Sequence, residues 1–403
     1  MKLLYITSRV PYPLDKGDKV RAYHQIEALS RYHEVCLFSI NDQEIHPEAE
    51  EALKKICSRI VFVRLRKREL LRNLFRTFLG TKPMQVGYFF NARANALLHT
   101  LLDDFKPDAV FCQLIRTAEY ARNLSIPKTL DYMDVFSKGV ERRIKKVPFY
   151  QRPFFSLEYK RLLKYEQEIF SAFDHCTIIS AQDRDLIPHP DHAAIRVIPN
   201  GVDMTYFHPF TEKEEEEGKE YEVIFNGNMS YPPNIESAVF LVEQIMPFVW
   251  KKYPHVKVLI SGTNPGVRVK RLASKRVQVS GWVDDVRTNF SKSRILVAPM
   301  QSSIGLQNKL IEAMAMKLPC ITSTLANNAL AAEDGREVLV ADSPEQYAAR
   351  IFSLLENKTF ARQLAERGYE FVKKNYDWVQ AGKMLNEVIM NEQAATDKSK
   401  GAR

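Results

Sequence analysis

The chain has 403 residues, 45% hydrophobic and 27% charged, with a formal net charge of +9. That is ample for two domains with separate cores, and it excludes a disordered polymer. No apolar run reaches the ~20 residues of a membrane helix, and the positive excess points to an anionic partner.

Cys36, Cys57, Cys112, Cys176 and Cys320 are scattered, odd in number and lack a C-x-x-C pair. Neither a disulfide framework nor a zinc site is expected, and a reducing cytoplasmic compartment fits best. MKLLYITSRVPYP is too short an apolar run for a signal peptide and reads as a first strand. No DNA- or RNA-binding motif is visible, so phosphate-bearing substrates or an anionic membrane surface are the expected partners, and nucleic acid is not.

KLLYIT (2–7) reads as a strand, SRVPYPLDKGDK as a turn-rich loop containing Gly17, and VRAYHQIEALSRY as a helix leading to the strand HEVCLFSI (33–40). This βαβ opening places Gly17 where backbone can approach a ligand. Its G-x-G-x-x-G fingerprint is missing, so a dinucleotide is not implied. Lys16, Asp18, Lys19 and Arg21 crowd the turn. They fit either a solvated loop or contact with a phosphate or acceptor sugar.

After the strand IVFVRL comes RLRKRELLRNLFRTFLG, with basic Arg64, Arg66, Lys67, Arg68, Arg72 and Arg76 among apolar Leu70, Leu71, Leu74, Phe75, Phe78 and Leu79. Such a helix either lies on an anionic membrane or turns its apolar face onto its own core. AVFCQ and KTLDYM are short core strands. Asp131 and Asp134 stand at the end of the second, where ligands gather in open α/β sheets, although capping of the next helix also explains them. Arg142, Arg143, Lys145 and Lys146 then accompany Phe149, Tyr150, Phe154, Phe155 and Tyr159 in a cationic, aromatic stretch suited to lipid or to helix packing.

CTIIS and the turn VIPNGVD (197–203) close the first domain, and the acidic TEKEEEEGKEYE reads as a linker or loop. A second alternation of strands and helices follows. Its strands end at Asn226–Gly227, Gly262 and Gly281, and RILVAP leads to Gly305. Glycines at strand ends let backbone N–H groups reach phosphate or base. In GLQNKLIEAMAMKLPCITS (305–323), Asn308, Lys309 and Glu312 share one helical face. The helix start with its Lys suits phosphate, and Glu312 suits sugar hydroxyls. An ordinary αβ unit with a solvated Lys–Glu pair fits the same spacing. Pro319 is expected to stop this helix. Residues 344–376 read as helical, followed by a final amphipathic helix.

VIPNGVD and GLQNKLIEAMAMKLP, with TSRVPYPLDKGDKVRAYHQIEALS, LDYMDVFSKG, FNGNMSYPPNIESAVFLVEQIMP and VSGWVDDVRTNF, resemble glycosyltransferase family 4 over almost the whole chain. The closer likeness is to bacterial sugar transferases of exopolysaccharide and PEP-CTERM-type sorting systems. The resemblance implies an α/β protein of two Rossmann-like, doubly wound parallel-sheet domains facing a cleft, the GT-B fold. The domains would be 1–205 on the acceptor side and 206–375 on the nucleotide-sugar side, with a helix at 376–392 packing back toward the first and a tail at 393–403.

The resemblance also implies retaining transfer, of hexosyltransferase type, from a UDP- or GDP-sugar to a hydroxyl of a lipid-linked or growing polysaccharide. Glu312 matches the ribose-binding Glu. The family's companion Glu falls at Ile304, where Ser303 or backbone at Gly305 and Leu306 would substitute. The usual diphosphate Arg–Lys pair is missing from NGNMSYPPN, leaving Lys309, then Asn308 and Arg268. Gly281 to Val283 matches the loop that cradles the base, and Gly17 the glycine of the first loop. Where many relatives place a His beside the reacting sugar, this chain offers Asp134 and Asp131. VDD (283–285) resembles a metal-binding D-x-D only superficially, so neither metal nor cofactor is expected. The protein would be cytoplasmic, with peripheral attachment at the inner face of the plasma membrane as an extension of that reading. Two rivals stay open: a nucleotide-sugar epimerase of the same fold, and a non-catalytic sugar-binding subunit.

Overall fold

The computed structural model describes residues 1–209, 218–302 and 305–400. The expectations placed on Ser303, on Ile304 and on the acidic run 211–217 lie outside the described residues.

The chain forms two compact units, Met1–Pro199 with Ala381–Arg403, and Asn200–Gln380. In the first, the strands are β1 (Lys2–Thr7), β2 (Glu34–Asn41), β3 (Arg59–Arg64), β4 (Ala109–Gln113), β5 (Lys128–Asp131), β6 (His175–Ile178) and β7 (Arg196–Val197). They form one sheet in the order β3-β2-β1-β4-β5-β6-β7, and all its pairings are parallel. Parallel strands covered on both faces need apolar side chains throughout, and β4 is buried at every position.

In the second unit the strands are β8 (Tyr221–Asn226), β9 (Val258–Ser261), β10 (Val277–Gly281), β11 (Ser293–Ala298), β12 (Cys320–Thr322) and β13 (Leu339–Val340). Their order is β10-β9-β8-β11-β12-β13, again parallel. Each sheet reverses its winding at the centre, between β1 and β4 and between β8 and β11. Loops diverge there, and a ligand crevice opens beyond the carboxyl ends of the strands.

Two local features differ from the sequence reading, and packing explains a third. The helix expected from Gly305 begins at Asn308 and ends at Ala315, before Pro319. Lys317, in the left-handed region at φ 54°, closes it, and Leu318 N–H donates to the Ala313 carbonyl. The helical stretch 344–376 is two helices, Pro344–Glu356 and Lys358–Asn375. Asn357 breaks it by accepting the Phe360 N–H at 2.9 Å. The VIPNGVD turn owes its glycine to packing, because a Cβ on Gly201 would lie 2.6 Å from the Trp378 backbone nitrogen.

The helix Lys67–Leu79 buries Asn73 and Thr77 and exposes Leu71, Phe75, Phe78 and Leu79. Leu70 packs against the core and Leu74 is partly buried, whereas the other apolar positions stay outside. Asn73 donates to the carbonyls of Tyr88 and Phe90 beside Leu70, and this fixes the inward face of the helix. No helix among the described residues is long and apolar enough to cross a membrane.

Candidate functional site

The second sheet brings together Gly227, Gly262, Lys309 and Glu312 at the carboxyl ends of its central strands. Gly227 N–H donates to the Ser261 carbonyl at 3.0 Å, and Gly262 N–H donates to the Gly281 carbonyl at 3.1 Å. The ends of β8, β9 and β10 are thereby laced into one edge. Gly262 has φ +137°, and a Cβ there would sit 1.7 Å from the Gly227 carbonyl oxygen, so no other residue fits. A Cβ on Gly227 would press on Asn234 and stand 3.0 Å from the Lys309 Nζ.

Lys309 reaches this edge from the helix after β11. It is 7% exposed, which removes the solvated Lys–Glu alternative. Its Nζ donates to Asn234 Oδ1 at 2.6 Å and stands 4.4 Å from the Phe225 ring centroid. Among the described residues, no carboxylate forms an ion pair with it. Burial lowers Lys309 to about 7, opposed by Glu312. Glu312, half-buried one turn on, is raised by burial to about 7, opposed by Lys309. Its carboxylate accepts no hydrogen bond from a described residue.

Asn308 opens the helix, and its cap residue Gln307 makes no side-chain cap bond, donating instead to the Gly305 carbonyl at 2.7 Å. Leu306 packs against the core of this unit. Asn226 ends β8 half-buried, and Val283 lies two residues past Gly281 beside the exposed Trp282. Arg268 is exposed on the short helix after β9 and forms no ion pair among the described residues. Asp285 of VDD caps the next helix, accepting Arg287 N–H at 3.0 Å and the Arg287 guanidinium at 2.7 Å. Among the described residues no group of His, Cys, Asp or Glu is arranged to hold a metal ion.

In the first unit the two aspartates part company. Asp131 and Arg21 are both completely enclosed, with Arg21 Nε 2.6 Å from Oδ2 and Nη2 2.9 Å from Oδ1. Thr177 Oγ1 also donates to Oδ1 at 2.9 Å. The catalytic expectation for Asp131 is corrected: its oxygens are occupied inside the sheet, and it neutralises Arg21. Asp134 is open to solvent after Met133, which takes a left-handed φ of 60°. Although it reaches the surface, the protein crowded around its carboxyl, together with Asp183, raises it to about 6 against Arg21 and Arg142. Gly17 opens its helix, 3.8 Å in Cβ terms from the Met133 side chain.

Sequence reasoning missed Asn234 and Arg116. Asn234 sits in the NGNMSYPPN stretch that offers no cation, and only the adjacency of β8 and β11 brings it to Lys309. Arg116 follows β4 at the first switch point, between the Phe89 and Phe136 rings, and donates to Gln85 Oε1 at 2.7 Å. Its sequence neighbourhood, QLIRTAEY, carries no signal of this. A cavity of about 1160 Å³ in the second unit lies at the amino ends of the strands, by Glu222, Val256, Arg294 and Pro319. It is separate from the Lys309 site.

Residues 220–357 match the family described as Glycosyl transferases group 1. A protein of the cps region of Klebsiella pneumoniae is 21% identical over 404 residues, spanning 93% of this chain and 96% of that protein. Sucrose-phosphate synthase from Thermosynechococcus elongatus superposes with a TM-score of 0.70 at 15% identity, over 98% of this chain and 100% of that one. Anabaena HepE, in complex with UDP and glucose, gives 0.69 at 12% identity, over 97% and 100%. Both units thus have the Rossmann-like form of the GT-B fold. Residues 220–357 are a group 1 glycosyltransferase domain, and the chain is a glycosyltransferase.

Proposed function

We propose that the protein transfers a sugar, with retention of configuration, from a nucleotide diphosphate sugar to a hydroxyl of a lipid-linked or growing polysaccharide. The observation that carries this reading is the Lys309 ammonium, buried at a glycine-lined switch point without an ion-paired carboxylate. A diphosphate supplies the missing counter-charge, and its arrival restores the proton that burial disfavours. Glu312, with unoccupied acceptor oxygens on the same face, suits the ribose hydroxyls. Anabaena HepE with UDP and glucose makes UDP-glucose the first donor to try, and the Klebsiella cps-region relative supports a polysaccharide acceptor.

Lys309 and the uncapped helix start at Asn308 stabilise the charge that grows on the departing diphosphate. One preorganised donor of this kind is worth roughly 3–4 kcal/mol of barrier. The leaving phosphate itself takes the acceptor's proton as the hydroxyl attacks from the same face. Asp134 is the candidate for contact with the transferred sugar. Lys309 supplies charge that a divalent ion would otherwise provide, so activity is expected to persist in EDTA. The test is nucleoside diphosphate release from UDP-, GDP- and ADP-sugars, with and without membrane lipid extract. Release that depends on acceptor lipid supports transfer. Conversion of the donor without release indicates an epimerase, and binding without turnover indicates a carrier subunit.

A further inference from the structure

The first unit carries an apolar surface that its own core does not use. Leu71 is 67% exposed, Phe75 66% and Leu79 71%. With Phe78 they sit at positions four, three and one apart, so they form one outward stripe of the helix Lys67–Leu79. The opposite side is held down by Leu70, Asn73 and Thr77. A second apolar set belongs to the segment that follows the helix Phe136–Lys146. Phe149 is 80% exposed, and Tyr150, Phe154 and Leu157 are exposed beside it. Phe154, Leu157 and Arg161 recur at three and four residues on the helix Arg152–Phe170 and share one face. Arg161 donates to the carbonyls of Thr77 at 3.2 Å and Phe78 at 3.1 Å, and also to that of Gly80. One guanidinium therefore joins the end of the first helix to the helix face that carries the second set.

The charges around the two sets are mostly basic, and the two acids among them are paired. Lys67, Arg68, Arg72 and Arg76 flank the first stripe, and their only acidic neighbour on that helix, Glu69, is engaged by Arg93 at 3.2 Å. Arg142, Arg143 and Lys145 belong to the adjoining helix, where Glu141 is paired with Lys138 at 3.0 Å. Arg143 lies over the Phe155 ring at 4.7 Å. Large exposed side chains in one patch mark an interaction surface. Aromatic and leucine side chains ringed by arginines fit the interface of an anionic bilayer, with rings at the acyl boundary and guanidiniums on the headgroups.

We propose that this two-helix surface docks the protein onto an anionic lipid bilayer through Leu71, Phe75, Phe78 and Leu79 together with Phe149, Tyr150 and Phe154. The proposal deepens the lipid-linked acceptor reading, but docking needs no donor and is measured without turnover, so either can fail alone. Full-length protein is sedimented with vesicles of phosphatidylcholine containing 30% phosphatidylglycerol, and with phosphatidylcholine alone, at low salt and at high salt. Binding to the anionic vesicles at low salt, at least tenfold weaker on neutral vesicles or at high salt, is expected. Arg72→Glu with Arg76→Glu is expected to abolish it. Phe75→Ser with Phe78→Ser is expected to weaken it about tenfold while leaving the thermal midpoint in place, because both side chains are already exposed. Absence of binding to anionic vesicles overturns the proposal, as does binding indifferent to both double variants. Concentration-dependent dimerisation in solution that Phe75→Ser with Phe78→Ser abolishes also overturns it, assigning the face to a second copy.

Discussion

The Nζ of Lys309 donates to Oδ1 of Asn234 at 2.6 Å, across 75 residues of chain. The contact joins the helix after β11 to the helix that follows β8, over the switch point of the second sheet. It aims an ammonium at the glycine edge while satisfying only part of its hydrogen-bonding capacity.

Lys309→Ala removes the cation and is expected to lower kcat/KM for the donor by 10²- to 10³-fold, the scale of one lost electrostatic donor. Asn234→Ala leaves the cation but frees its direction, and a smaller loss of about tenfold is expected. Steady-state rates of nucleoside diphosphate release check both. Equal kinetics in Lys309→Ala and wild type would remove Lys309 from the phosphate site.

Gly262→Ala places a methyl where the Gly227 carbonyl stands, in a backbone conformation that alanine resists. The strand ends must separate, and a loss of about 1–3 kcal/mol in stability is expected. The proposed donor site is expected to distort with it. Urea denaturation and UDP titration by calorimetry read the two effects, and UDP affinity unchanged in a folded variant would detach this edge from the donor.

Asp131→Asn leaves Arg21 charged and wholly enclosed without its counter-ion. A destabilisation of about 3–5 kcal/mol is expected, the usual outcome of breaking one half of a buried pair. Chemical denaturation measures it. A variant as stable as wild type, with turnover abolished, would return Asp131 to a catalytic role.

Glu166 is completely buried in the first unit, and burial raises its carboxyl to about 7 against the hydrogen bond from Ser137. The native state holds a proton that the unfolded chain releases above pH ~4.5. Stability from this group is therefore full below pH ~4.5 and falls as pH rises to about 7, by about 3 kcal/mol. Glu166→Gln is expected to flatten that segment of the pH–stability curve. An unaltered slope between pH 5 and 7 would show that the carboxyl is ionised in the native state.

The alternation of apolar strands and amphipathic helices, and the glycines at strand ends, were legible because local patterning dictates them. A parallel strand buried on both faces must be apolar along its length, and a position where a Cβ would strike the neighbouring backbone, as at Gly262, must be glycine. Lys309 and Glu312 were readable as one face because three residues bring two side chains to one side of any helix. The helix boundaries were read less well, since Lys317 and Asn357 end or break helices through backbone conformation and capping bonds.

Tertiary structure alone decided the rest, because the deciding contacts join residues distant in sequence. The order β8-β11 sets Asn234 against Lys309 and removes the lysine from solvent. The adjacency of β5 to the first helix encloses Asp131 with Arg21, so two aspartates three residues apart stand in opposite surroundings, one enclosed and one exposed. For the helix Lys67–Leu79, periodicity establishes that it has two faces. Which one turns inward is decided by Leu70 against the core and by the carbonyls of Tyr88 and Phe90, which claim Asn73, so that Leu71, Phe75, Phe78 and Leu79 are left outside.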